Sequence, residues 1–333
     1  MGLPVMSTWR NRRVLVTGAG GFIGSHLAER LVELGARTRA LVHYRFDGSW
    51  GWLDRSSVKE ELEVVAGDIR DYDSVMQAMT GVETVFHLAA LIAIPYSYQV
   101  PASFIQTNVL GSLNVLQAAR VLGTARIIQT STSEVYGTAR SVPIDEGHPL
   151  QAQSPYAASK IGADKLAEAF ALSYQLPVVV VRPFNTFGPR QSARAIIPTI
   201  ITQCLTDGVI RLGNLSPTRD LTYVSDTVEG FVRAATAPEA VGRTVHLGSG
   251  RAVSVRQLVE KIAALSEKTV SIEQEAGRMR PAGSEVERLV ADISTARTLL
   301  GWEPAVSLDD GLRTTIAWVR EHLDGYRPGV YAL

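Results

Sequence analysis

A short apolar run, Val14 to Thr17, leads directly into Gly18-Ala19-Gly20-Gly21-Phe22-Ile23-Gly24, and an amphipathic stretch from Ser25 to Leu34 follows. Leu27, Leu31 and Leu34 share one helical side, so the unit reads as strand, tight turn and helix. Glycines at 18, 21 and 24 suit a tight turn, close backbone approach to a diphosphate, and close packing of helix on strand. The amino end of such a helix offers unpaired N–H groups and the positive end of a dipole, both of which favour phosphate. This opening restricts the chain to α/β architectures with a parallel sheet.

The first half keeps that alternation. Strands are predicted at Val14–Thr17, Thr38–Val42, Leu62–Ala66, Thr84–His87, Arg126–Ser131 and Val178–Arg182, and helices at Asp73–Met79, Pro101–Leu122 and Pro155–Tyr174. A valine run such as 178–181 is what a strand buried on both faces requires. The alternation predicts a parallel sheet covered by helices on both faces. After Arg182 the pattern loosens: helices are predicted at Ala195–Thr206, Ser254–Ser266 and Ser294–Leu300, with short strands at Val209–Leu212 and Val270–Glu273.

Lys and Arg number 33, as do Asp and Glu, so no basic field invites nucleic acid. A single cysteine, Cys204, excludes an internal disulfide and a cysteine-built metal site. No metal is expected. The absence of a membrane-length apolar run or a signal-like segment gives the expectation of a cytoplasmic protein without membrane association.

A second constellation carries chemistry. Ser131-Thr132-Ser133-Glu134-Val135-Tyr136-Gly137 is followed by Tyr156-Ala157-Ala158-Ser159-Lys160. Tyr156 and Lys160, four apart, share a helix face. An ammonium beside a phenol favours the phenolate, so Lys160 is expected to lower the Tyr156 pKa toward the range of a base.

With both elements present, the chain resembles the extended short-chain dehydrogenase/reductases, and more closely the NAD-dependent epimerase/dehydratase family acting on nucleotide sugars. Further matches are Gly67-Asp68-Ile69-Arg70-Asp71, His87-Leu88-Ala89-Ala90, Thr107-Asn108-Val109-Leu110-Gly111, Arg182-Pro183-Phe184-Asn185-Thr186-Phe187-Gly188-Pro189, Thr218-Arg219-Asp220 and Leu300-Gly301-Trp302-Glu303-Pro304. The resemblance implies a Rossmann-like, doubly wound parallel sheet with a smaller interleaved α/β substrate domain: residues 1–182 with about 223–247 form the dinucleotide domain, and about 183–222 with 248–333 the nucleotide-sugar domain. It also implies a homodimer built on helices 101–122 and 155–174.

For the cofactor, the resemblance implies contacts from Gly18, Gly21, Phe22, Ile23, Gly24, Asp68, Ile69, Leu88, Ala89, Ala90, Tyr156 and Lys160. The second strand ends Val42-His43-Tyr44-Arg45, without the acid that commonly selects NAD. His43 and Arg45 thus join the cofactor candidates; Arg45 suits a ribose phosphate as well as a solvated surface position. NAD is expected because most relatives use it, and NADP stays open.

For the reaction, the resemblance implies that Tyr156 removes the sugar 4-hydroxyl proton, that Lys160 holds the nicotinamide ribose, and that Thr132 hydrogen-bonds the same sugar oxygen. Glu134 discriminates among activities. A carboxylate beside C5 permits removal of the C5 proton once C4 is a ketone, hence loss of water across C5–C6. Ser133 stands where thymidine-diphosphate-glucose dehydratases resemble Thr-Asp-Glu; Thr-Ser-Glu resembles instead the guanosine-diphosphate hexose dehydratases and the hexuronate decarboxylases. Segment 91–98, which includes Ile94, resembles a bacterial group of amino-sugar nucleotide dehydratases. Substrate contacts are implied for Ile94, Ser131, Asn185, Arg219 and Arg280, arginine forks being suited to a diphosphate. The expected function is nucleotide-sugar 4,6-dehydration. A glucuronate-type decarboxylase, a 4-epimerase and a cofactor-binding regulator are the alternatives. The decarboxylase is disfavoured because Leu289-Val290-Ala291 stands where those relatives carry Arg-Lys-Pro, and the regulator because Tyr156 and Lys160 are both intact.

Overall fold

The computed structural model describes residues 8–279 and 281–326. Seven parallel strands form the main sheet: β1 (Arg13–Thr17), β2 (Arg37–His43), β3 (Glu63–Gly67), β4 (Thr84–His87), β5 (Arg126–Thr130), β6 (Val178–Pro183) and, late in sequence, a strand at Thr244–Leu247. Their spatial order is Thr244–Leu247, β6, β5, β4, β1, β2, β3. The order reverses between β1 and β4, the switch point at whose carboxyl side α/β sheets bind dinucleotides. Helix α1 (Phe22–Glu33) follows β1 and buries Leu27, Ala28, Leu31 and Val32 against the sheet. β6 is buried along its whole length, as its valines required.

α2 (Tyr72–Met79) is capped by Asp71, whose carboxylate accepts from the Ser74 N–H at 2.7 Å. α3 (Ile94–Gln99) follows β4 in the chain. The long helix expected over 101–122 is present in three pieces: α4 (Pro101–Phe104), a π-helical turn (Ile105–Leu110), and α5 (Gly111–Leu122). The reason lies at Asn108, whose side chain is fully committed elsewhere, as described below. α6 (Pro155–Tyr174) has the predicted bounds and starts on a Ser154 cap donated to by the Ala157 N–H at 3.1 Å.

Beyond β6, β7 (Asn185–Phe187) pairs in parallel with β9 (Thr218–Tyr223), which also pairs with β11 (Ala252–Ser254) and β13 (Arg288–Leu289). α7 (Ile196–Thr206), β8 (Val209–Leu212), a helix over Val255–Leu265 and the closing helix Leu308–Glu321 pack a second apolar core around Ile200, Ile201, Leu258 and Leu312. The helix α8 (Val224–Thr236) and the strand β10 (Thr244–Leu247) return to the first core. So do Val286, Ile293, Ala296 and Trp302, which places part of the segment expected in the sugar domain against the dinucleotide sheet. Trp302 is anchored there by its indole N–H, donated to the Asp226 carbonyl at 2.9 Å.

Candidate active site

The glycine-rich turn is closed by its own backbone. Gly18 adopts φ +70°, and a Cβ there would lie 2.9 Å from the Ala89 backbone. A Cβ on Gly24 would lie 2.2 Å from the Gly18 carbonyl oxygen. These two contacts leave room for nothing larger than glycine. Thr17 completes the junction: its hydroxyl oxygen accepts from the N–H groups of Leu88 (3.1 Å) and Ala89 (3.0 Å), tying the end of β4 to the end of β1. No side chain caps α1 at Gly21. The first-turn N–H groups of Phe22, Ile23 and Gly24 therefore point out of the helix without an intrahelical acceptor. This cradle fits a diphosphate. Gly24→Ala is expected to open the turn and weaken NAD binding about 10-fold or more, measured by titration calorimetry; unchanged affinity would contradict the cradle.

Asp68 lies beyond β3, and Ile69 is buried with its side chain against Gly111. The Arg70 guanidinium, donating to both Asp68 carboxylate oxygens, holds that carboxyl below its ordinary value. His43 is exposed, with Nε2 3.6 Å from Asp68. Arg45 is exposed and donates to both oxygens of Asp47 at 3.0 and 2.7 Å. The arginine thus has a carboxylate partner of its own in the loop after β2.

The chemistry-bearing segment leaves β5. Thr132 caps a 3₁₀ turn (Ser133–Tyr136), its hydroxyl accepting from the Glu134 N–H at 3.2 Å. Thr132 also stands beside the Tyr156 phenol, where its hydroxyl favours the phenolate. Tyr156 is 7% exposed and packs with Ile94 and Phe104. Ser133 is buried, Glu134 half-buried.

Two expectations change here. Burial pushes the Tyr156 phenol well above the ordinary tyrosine value; the Thr132 hydroxyl opposes the rise, and the Glu134 charge adds to it. Desolvation outweighs any help from the ammonium. Lys160 donates instead to the Thr130 carbonyl at 2.6 Å, which fixes α6 to β5, and burial lowers its own pKa to about 8 against the pull of Asp164. Ser131, expected to meet substrate, is 4% exposed and donates to Asp164 Oδ2 at 2.6 Å.

Residues the motifs left without a role hold this arrangement. Asn108 is 1% exposed. Its amide donates to the Leu91 carbonyl and the Ser159 hydroxyl, both at 2.9 Å, while its oxygen accepts from the Leu91 N–H at 2.8 Å. That triple tether binds the segment after β4 to the helix of Tyr156 and bulges the chain into the π-helical turn. His87, buried between Thr17 (2.9 Å) and Ser112 (3.1 Å), is driven by burial to about 3, so it is a neutral hydrogen-bonding link. Asp164 and Arg182, 0% and 2% exposed in their side chains, form an ion pair at 2.9 Å. Removing one partner of such a pair costs about 3–5 kcal/mol. The sequence hint was an arginine ending a valine run and an aspartate one turn beyond Lys160.

Asn185 opens β7 half-buried and keeps its Oδ1 buried without a hydrogen-bond partner, a group suited to a polar ligand. Arg219, on β9, is 3.7 Å from Glu285 and donates to the Thr218 carbonyl at 3.0 Å. Arg280 lies outside the described residues. Leu289, Val290 and Ala291 are all buried and apolar, so the position where a decarboxylase would carry a cation holds none.

The family model described as GDP-mannose 4,6 dehydratase matches residues 15–315. The chain belongs to this family, within the extended short-chain dehydrogenase/reductases. It is 35% identical to a dTDP-glucose 4,6-dehydratase of Streptomyces griseus, covering 96% of this chain and 97% of that one. It is 33% identical to a UDP-glucose 4-epimerase of Mycolicibacterium smegmatis, covering 92% and 98%. The structure superposes on DesIV, a dTDP-glucose 4,6-dehydratase from Streptomyces venezuelae solved with NAD bound, at a TM-score of 0.87 and 31% identity, covering 95% and 99%. Among the described residues, no helix is long and apolar enough to cross a membrane.

Proposed function

We propose that this protein is a nucleotide-sugar 4,6-dehydratase. The observation that carries the reading is the Thr132–Tyr156–Glu134 grouping: a phenol beside a hydroxyl, with a carboxylate close enough for its charge to raise the phenol's pKa. A 4-epimerase needs the phenol and hydroxyl alone; a dehydratase needs a second base.

NAD is the cofactor, and the Gly18–Gly24 cradle would hold its diphosphate. When bound, it would supply a hydride acceptor for the sugar C4 and a hydride donor for C6, so that the overall reaction loses only water. In this reading Tyr156 takes the 4-hydroxyl proton and Thr132 hydrogen-bonds the developing C4 carbonyl. Lys160, fixed on Thr130, would hold the nicotinamide ribose and keep a positive charge beside it. Glu134 removes the C5 proton, acidified by the C4 ketone, and delivers it to the departing C6 hydroxyl as water forms. Ser133 orients that water. Reprotonated from solvent, Glu134 then gives a proton to C5 as hydride reaches C6, while Tyr156 releases the proton it took from the 4-hydroxyl. Asn185 and Arg219 grip the substrate diphosphate, and Ile94 covers the sugar. Arg45, paired with Asp47 in the exposed loop after β2, is the candidate there for a ribose phosphate.

The decarboxylase reading is weakened by the buried apolar Leu289–Ala291 segment. Incubation with a panel of nucleotide hexoses, N-acetylhexosamines and hexuronates, followed by mass spectrometry, tests the choice. Loss of water from a hexose or hexosamine is expected. Loss of carbon dioxide from a hexuronate, or a C4 isomer alone, would overturn it.

Two copies are also proposed to pair through the π-helical turn, α5 and α6, where Ile105, Leu110, Val121 and Leu172 are exposed. Light scattering should then give twice the chain mass.

A further inference from the structure

We infer that Asp164 is a positioning residue, one of whose carboxylate oxygens locks the segment of Thr132 and Glu134, just after β5, to the helix of Tyr156 and Lys160. The inference rests on the dehydratase-type reading of that site. Oδ2 of Asp164 accepts three hydrogen bonds: from Ser131 Oγ (2.6 Å), Arg182 Nη2 (2.9 Å) and Arg182 Nε (3.2 Å). Each partner sits beside a site residue in sequence. Ser131 immediately precedes Thr132, and Arg182 ends the strand that leads to Asn185. Arg182 Nη1 in turn donates to the Tyr136 hydroxyl at 2.7 Å, and Tyr136 closes the 3₁₀ turn that carries Glu134.

The far side of the cluster is held as firmly. The Tyr136 hydroxyl meets His246 Nε2 at 2.5 Å, and His246 Nδ1 lies 3.2 Å from the Asp292 carbonyl. His246 is driven to about 3 by burial, so it is neutral and has one N–H to give. The cluster therefore joins α6, the end of β5, the 3₁₀ turn, β6 and β10 at one point. Reacting groups are useful only if their separation is fixed within a fraction of an ångström, and displacement by about 1 Å costs about 100-fold in rate. Asp164 supplies that fixation from beneath, without itself reaching the phenol.

It also supplies charge. Lys160 faces Tyr156 and Asp164 on its own helix, His87 from β4 and the Thr130 carbonyl from β5, with Arg182 of β6 behind Asp164 and Glu134 across the phenol. His87 is neutral, so Asp164 is the anion that favours the Lys160 ammonium. Its removal lowers the Lys160 pKa from about 8.

Two variants test this. Ser131→Ala leaves the ion pair whole and removes one tether. It should lower kcat about 10-fold with KM within about twofold, and melting should change by a few degrees only. Its crystal structure should show the Thr132 hydroxyl displaced from Tyr156. Asp164→Asn should lower kcat about 100-fold and move the Lys160 inflection of the pH–rate profile to lower pH. If Asp164→Asn does not fold, Ser131→Ala decides alone. A Ser131→Ala enzyme with wild-type kcat and Thr132 in its wild-type place beside Tyr156 would overturn the inference. So would a folded Asp164→Asn enzyme with an unmoved profile. Failure of the wild type to reduce its nicotinamide with any nucleotide hexose would instead sink the dehydratase reading, and the Thr132–Tyr156 geometry of Ser131→Ala would still decide the positioning role.

Discussion

Tyr156→Phe is expected to reduce both cofactor reduction and product formation by about 10³-fold, within the range of lost general-base catalysis. NAD and substrate affinities should stay within about twofold, because the ring keeps its packing against Ile94 and Phe104 and loses only its hydroxyl. The raised phenol pKa sharpens the expectation. In the resting site the phenol is protonated, so only a small phenolate fraction starts the oxidation at neutral pH. That fraction grows with pH, while the Lys160 ammonium is lost above about 8. The rate of cofactor reduction should therefore climb as pH rises through 7 and level off near 8, where further gain in phenolate is matched by loss of ammonium. Stopped-flow absorbance of the reduced nicotinamide would read both effects. Unimpaired turnover by Tyr156→Phe would refute the oxidation scheme.

Local chemistry was legible where it depends on near neighbours in sequence. The glycine turn, strand Thr84–His87, helix Pro155–Tyr174 and strand Val209–Leu212 lie where periodicity and caps put them. The π-helical turn at Ile105–Leu110 was not legible. It arises because Asn108 bonds to Leu91 and Ser159, 17 and 51 residues away, and no helical spacing reports such partners. Ser131 was misread for a related reason: a hydroxyl at a strand end suits a ligand or a buried acceptor equally, and Asp164, 33 residues later, decided it. Lys160 was expected to act on the phenol from one helical turn away. The Thr130 carbonyl, available only once α6 lies on β5, claims its nearest hydrogen bond, and burial acts on the phenol in the opposite sense. The layout after residue 248 follows the same logic. Trp302 returns to the first core because its indole needs the buried Asp226 carbonyl, a partner 76 residues upstream.

Glu134→Gln should separate the two halves of the reaction. Glutamine keeps the side chain's shape and the backbone N–H donated to Thr132, so the 3₁₀ turn and the place of Thr132 beside Tyr156 survive. What disappears is a base for C5 and a proton donor for the C6 hydroxyl, and dehydration should fall by about 10³-fold. The first half should not fall with it. The Glu134 charge raises the Tyr156 pKa, so its neutralisation moves the phenol back toward its ordinary value, and cofactor reduction should be as fast as in the wild type or faster. Reduced nicotinamide and the 4-keto hexose nucleotide should then accumulate together. Deuterium from solvent should no longer enter C5, because C5 exchange requires the missing base. These signs distinguish the carboxylate's assigned role from mere structural support, which would slow both halves alike. Water loss at the wild-type rate from Glu134→Gln would end the dehydratase assignment of this residue. A C4 isomer as the sole product of both enzymes would mean that the carboxylate caps a turn and the protein epimerises its substrate.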